Sequence, residues 1–243
     1  KATGGLDKTN TIPSDMMQTV IPVDSGWPRT VYTITTTTED QQSQRLLVFT
    51  QDSPRQNYKL WGVARLFAGA QLPRFTVPEI GTQMGLPNDT GLVATPQEAV
   101  ERYADVLQNG ANSEFADQFA DDSLRQTIAS VAQTVQEGME RNNGTQTQTF
   151  TVVPDAIKIM RSSDGGDLVV AQINSEWTRA AGDGRESLPA SDEEQALFGD
   201  GTATSTMKVT YVNIVALYVP PEDSGEQITA VGAERKPIKV EAI

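Results

Sequence analysis

The 243-residue sequence contains no cysteine and no histidine. These absences exclude disulfide staples, thiol redox chemistry, Cys- and His-based nucleophilic triads, and zinc sites built on thiolate or imidazole. Positive charge is also scarce: 19 Lys and Arg stand against 32 Asp and Glu, for a net charge of -13. The basic residues are scattered, with no stripe or cluster that could follow a phosphate backbone, so nucleic-acid binding is not expected. No apolar run approaches the ~18 residues a membrane-spanning helix needs, and no charged-then-apolar signal segment stands at the start. Gly-rich phosphate loops, a Gly-x-Ser-x-Gly elbow and a Ser-x-x-Lys pair are missing too. What remains open is carboxylate, Tyr or Lys chemistry, hard cations on oxygen ligands, or no catalysis. No catalytic residue, metal ligand or cofactor is assigned.

Thr and Gln carry much of the polarity, as in the Thr35-Thr36-Thr37-Thr38 run, Gln41-Gln42 and the alternation from Thr145 to Thr149. This surface leans towards an exported protein. Residues 1–26 read as a polar linker. Residues 27–38, 46–51 and 58–67 are rich in β-branched and aromatic residues between turn signals, and predict a β meander in a unit spanning 27–78. Pro and Gly at short intervals (Pro73, Pro78, Gly81, Gly85, Pro87, Gly91) follow, and 79–94 reads as a second linker.

Thr95-Pro96-Gln97-Glu98 is a capping box with proline at the first helical position. Val100, Tyr103, Ala104 and Leu107 continue at helical spacing to Asn109-Gly110. A short second helix from Ser113 carries Phe115 and Phe119. Ser123-Leu124-Arg125-Gln126 repeats the box, and Leu124, Ile128, Val131, Val135 and Met139 place one apolar face on a third helix. From Thr145 the period changes to two, predicting strands at 145–153, 156–161, 167–178, 207–219 and 227–234. Residues 180–205, acidic and glycine-containing, read as an insertion between strands, a solvated loop before a calcium site. Helices followed by antiparallel strands describe an α+β domain over 95–243. The two halves also end alike, each in a long hairpin with a small residue in its last strand.

The order helix, short helix, long helix and bent meander resembles the NTF2-like, or cystatin-like, superfamily. Thr95-Pro96-Gln97-Glu98-Ala99-Val100, Phe115-Ala116-Asp117-Gln118-Phe119 and the strands after Thr145 carry the resemblance, over 94–243. Trp27-Pro28-Arg29-Thr30-Val31 and Leu60-Trp61-Gly62-Val63-Ala64-Arg65 resemble the sheet half of a similar unit in uncharacterised lipid-anchored surface proteins of high-GC Gram-positive bacteria. The resemblance implies NTF2-like helices on a curved antiparallel sheet, preceded by a partial second unit. It further implies export and a lipid anchor upstream of Lys1. Because 1–26 is too short and polar to supply covering helices, either those helices lie upstream of Lys1 or Leu60, Trp61, Val63 and Phe67 bury against the second half. The two sheets are expected to share an interface or form one larger sheet.

NTF2-like folds often enclose a pocket in which some members perform proton transfer with Asp or His. Here His is absent. Asp117, Asp121 and Asp122 are the carboxylates near a helix start, where Asp121 and Asp122 also suit capping around Ser123. Tyr103, Phe115, Phe119, Trp177 and Tyr211 are the candidate pocket residues, and the same aromatics would serve as core. The expected role is a non-enzymatic binding or interaction module of a cell-envelope lipoprotein, with an unknown protein or a small apolar ligand as partner. The alternatives are a pocket protein that binds a small apolar ligand or transfers a proton through a pocket Asp and Tyr, and a structural spacer.

Overall fold

A computed structural model describes residues 12–37 and 43–243. Residues 1–11 of the opening linker stretch, the last residue of the 27–38 run and Gln41-Gln42 lie outside the described residues. Four strands come first: β1 (Met16–Val20), β2 (Arg29–Thr35), β3 (Arg45–Gln51) and β4 (Lys59–Leu66). β1 lies within the stretch expected to be linker; it is too short to stand out from its polar flanks, and its pairing along β2 supplies the order. The helices follow as α1 (Pro96–Asn109) and α2 (Ser123–Glu140), then β5 (Thr145–Arg161), β6 (Asp167–Ala180), α3 (Asp192–Phe198), β7 (Thr206–Val219) and β8 (Thr229–Ala242).

The α1 capping box is formed. The Glu98 amide donates to Thr95 Oγ1 at 3.3 Å, and the Thr95 amide donates to Glu98 Oε2 at 3.0 Å. Val100, Tyr103, Ala104 and Leu107 are buried along one face. At α2 the cap sits one residue earlier than the Ser123 box suggests: Asp122 Oδ1 accepts from the Arg125 amide at 2.9 Å. The short helix expected from Ser113 is instead two 3-10 turns, Gly110–Asn112 and Ala116–Gln118. Pro154-Asp155 bends a strand where the sequence suggests an end. Asp155 takes φ 61°, the register shifts between Val152 and Ile157, and β5 pairs with β6 on both sides of the bulge. β8 likewise runs on past Glu234, and Pro237 sits on it beside a register shift, where no further strand is paired.

All eight strands belong to one antiparallel sheet in the order β1-β2-β3-β4-β8-β7-β6-β5. The seam between the halves is the pairing of Arg65 and Leu66 with Ala233 and Gly232, extended by the Phe67 amide donating to Val231 O at 2.9 Å. The sheet curls so that β2–β4 face the inner side of β5–β7. Tyr32, Ile34, Leu46 and Val48 pack there against Met160, Leu168, Val170 and Ala216. Tyr32 Oη, arriving from the first half, donates to Lys158 O at 2.6 Å. Residues 82–85 bridge the open side. Val23 donates to Thr82 O at 3.0 Å, Thr82 to Ile21 O at 2.8 Å, Arg161 to Gln83 O at 3.0 Å and Gly85 to Ile159 O at 3.1 Å. The strap thus ties the β1 end to β5.

The outer face of β6 and β7 carries the second core, where Val169, Ala171, Ile173, Val215 and Leu217 meet Val100, Tyr103 and Leu107 of α1. Trp61 packs on the inner core and Phe67 on the outer, whereas Leu60 stays 47% exposed. Curling of the one larger sheet buries much of the first meander. The seam tolerates no side chain at Gly232: a Cβ there would lie 2.6 Å from Arg65 O and 3.0 Å from Leu66 Cα. Gly232→Val is expected to destabilise the protein by ~1–3 kcal/mol, read from urea unfolding. An unchanged midpoint would mean that the seam opens freely.

Candidate functional site

The five aromatic candidates fall into two groups. Tyr103 and Phe119 are core, with ring centroids 5.4 Å apart, and Phe115 packs at the edge of the same cluster beneath the Arg102 guanidinium, 5.5 Å from its ring. Trp177 and Tyr211 belong to a separate cluster with Met207 and Val209, covered by Val135 of α2 and Phe198 of α3. Tyr103 Oη donates to Asp122 Oδ2 at 3.1 Å. Burial pushes the Tyr103 hydroxyl well above its ordinary pKa, and the Asp122 charge adds to the shift. Burial also pushes Asp122 up, although the Arg125 amide and Tyr103 oppose it. Asp117 and Asp121 are exposed.

A cleft of about 520 Å³ opens between the end of α1, α2 and β5. Its apolar wall includes Leu107, Ile128 and Ala129, and Gln108, Gln126, Gln146 and Gln148 supply amides, with Arg125 and Asp121 at one side. None of the five aromatics is among the lining residues. Gln146 is occupied: its Oε1 accepts from Trp177 Nε1 at 2.8 Å and its Nε2 donates to Ala132 O at 2.6 Å. Gln148 Oε1 is buried and has no hydrogen-bond partner among the described residues. The Thr/Gln alternation from Thr145 reads as surface polarity in sequence. Its period of two, however, places Gln146 and Gln148 on the same face as buried Phe150, and that was the available signal.

The acidic insertion is not simply a solvated loop. It forms α3, capped by Ser191, and delivers Glu194 to the sheet. Glu194 is 1% exposed and Arg179 of β6 is 2% exposed. The guanidinium grips the carboxylate through two nitrogens, at 2.6 and 3.2 Å. The Ala190 amide donates to Glu194 Oε2 at 2.7 Å, and Tyr211 Oη donates to Oε1. Burial alone would raise the pKa of Glu194, but the bonds from Arg179, Ala190 and Tyr211 outweigh it and hold the carboxyl below the usual glutamate value. Tyr211 is pushed up by burial and by Glu194. Beside them Arg235 stacks on the Tyr211 ring, 3.8 Å from its centroid, and donates to Ser175 Oγ at 2.9 Å and Asn213 Oδ1 at 2.8 Å.

A third polar centre ties the strap to the sheet. Asp89 accepts both Nε and Nη2 of Arg161, at 3.0 and 2.6 Å, and also the Leu86 amide at 2.9 Å. Asp167, 2% exposed, lines the same cavity of about 390 Å³, and its Oδ2 has no partner among the described residues. Burial, reinforced by the Asp89 charge, pushes Asp167 up to about 7 despite Arg161. Asp89 is held below its usual value because the bonds from Arg161 and Leu86 outweigh burial. Among the described residues no three acidic side chains converge where a metal ion could be held.

These features define an α+β protein with helices on a curled antiparallel sheet, an open amide-lined cleft and a buried ionic cluster beneath an inserted helix. The chain belongs to the family described as Domain of unknown function (DUF8094), which matches residues 7–237. No curated protein and no solved structure matches it.

Proposed function

We propose that the chain is a non-catalytic binding module of NTF2-like architecture, acting outside the membrane as part of a lipid-anchored cell-envelope protein. The observation that carries this reading is the cleft between α1, α2 and β5. It joins an apolar wall to a buried acceptor, Gln148 Oε1, that has no partner among the described residues and that a ligand N–H or O–H would satisfy. A binding role is favoured over proton transfer because Asp122 is committed locally. One of its oxygens caps α2 and the other accepts from Tyr103, deep in the core. The net charge of -13 and the Thr/Gln-rich strands support an exposed envelope location.

Ala129 lines the cleft yet is exposed, so it can be enlarged without touching the core. With the dye 8-anilinonaphthalene-1-sulfonate as probe, Ala129→Glu is expected to weaken binding ~10-fold at an unchanged melting temperature. Equal dye affinity in both proteins would remove the cleft as the binding surface. Protease shaving of intact cells carrying the full-length precursor is expected to release fragments of this domain, and complete protection would sink the envelope location.

A further inference from the structure

We propose that the sheet face under α3 is a binding site for a carboxylic acid with an apolar tail, and that Glu194 occupies it from within as a stand-in for that ligand. This site is separate from the α1–α2 cleft and stands independently of it.

Two donors fixed on the sheet, with a third from the loop that leads into α3, already converge on one carboxylate. Arg179 offers its guanidinium fork, Tyr211 its hydroxyl, and Ala190 its backbone N–H. A planar fork and a hydroxyl directed at two oxygens is the geometry by which proteins recognise carboxylates. The donor set exceeds what Glu194 uses: Arg179 Nε is buried and donates to nothing among the described residues. Charge is unbalanced in the same sense. Arg179 pairs directly with Glu194, whereas Arg235, close enough to feel that charge, bonds to neutral Ser175 and Asn213 and stacks on Tyr211, and burial pulls its pKa down.

The surroundings suit an amphipathic acid. Next to the Arg179 fork lie Trp177, Met207, Val209 and Val240, an apolar strip that α3 covers with Phe198. The cover itself is slight. α3 has seven residues, too few to be stable alone, and Leu197 on it is 41% exposed. At its rim Glu193 pairs with Lys236 at 2.5 Å, a half-exposed contact easily exchanged for water. Lifting α3 would remove Glu194 and uncover the fork and the apolar strip together, so an incoming acid would meet both.

The test uses sodium octanoate as probe and 1-octanol as a tail-only control. Glu194→Ala vacates the site, and Glu194→Gln keeps its shape if the alanine variant does not fold. Octanoate is expected to bind the variant ~10-fold or more tightly than wild type by calorimetry, and to raise its melting temperature saturably. Adding Arg179→Gln to the same variant is expected to abolish the gain, and octanol is expected to produce none. The proposal is overturned if octanoate binds wild type and the Glu194 variant alike, if the gain survives loss of Arg179, or if octanol matches octanoate.

Discussion

Arg179→Met is expected to lower the unfolding free energy by about 3–5 kcal/mol, the largest single-site loss anticipated for this protein. The substitution leaves the apolar stem nearly intact but strands Glu194, 1% exposed, without the cation that compensates its burial. The Ala190 amide and Tyr211 remain as donors, and they are too few to replace a bidentate guanidinium. Glu194→Gln removes the charge while keeping most of the shape, so the double variant is expected to recover most of the loss. Urea unfolding of the four proteins closes a double-mutant cycle. Its interaction energy is expected to exceed clearly the ~0.5 kcal/mol within which independent sites add. Additive losses would show that the two groups are not energetic partners. Recovery in the double variant would show that stability alone does not explain the pair, as expected of a site that holds a carboxylate.

The second large effect is a dependence of stability on pH set by Asp167. The groups facing it are Asp89 and Arg161, with Tyr32 nearby on the inner side, and Asp24 acts on Arg161 from the β1 end. Asp167 keeps its proton in the folded protein to about pH 7, whereas an unfolded aspartate releases it near ~3.9. Between those values the folded state binds more protons, so stability falls as pH rises through the window. At 1.36 kcal/mol per pKa unit, the loss by pH 8 is ~4 kcal/mol at most. Asp89 has the opposite sign. Its pKa is depressed, so its contribution is present above ~4 and is lost as pH falls below that value. Maximum stability is therefore expected on the acid side of neutrality. Asp167→Asn keeps the shape and removes the titration. It is expected to raise the melting temperature at pH 8, to change it little near pH 5, and to flatten the curve between. Parallel curves for the two proteins would exclude Asp167 as the titrating group. Because Asp89 holds Arg161, which bonds the strap through its amide to Gln83 O and through its guanidinium to Gln83 Oε1, hydrogen exchange of residues 82–85 is the local readout of the same loss.

Elements with strong local signatures are legible in the amino-acid sequence. Thr95 and Glu98 sit three residues apart at the head of a helical apolar period, and that spacing suffices to specify the α1 start. Alternating apolar residues do the same for β6 and β7, whose buried faces line both cores. β1 is not legible in this way, because the five residues Met16–Val20 are too few to show a period, and it is their pairing with β2 that marks them as a strand. Nor is α3, since Asp192, Glu193 and Glu194 in a glycine-bearing stretch read equally as a loop; only burial against Arg179 distinguishes the third of them.

The α+β class, the α1 cap, most of the strands and the exclusion of thiol and imidazole chemistry are properties of the sequence. Each follows from composition or from residues within a few positions of one another. Three other features exist only in the folded chain: the halves share one sheet through Leu66 and Gly232, the strap closes its open side, and Glu194 meets Arg179. The difference is one of range. Periodicity and capping report on neighbours along the chain, whereas pairing between distant strands and the neutralisation of a buried charge depend on which faces curl together. That choice is made by the packing of the whole sheet.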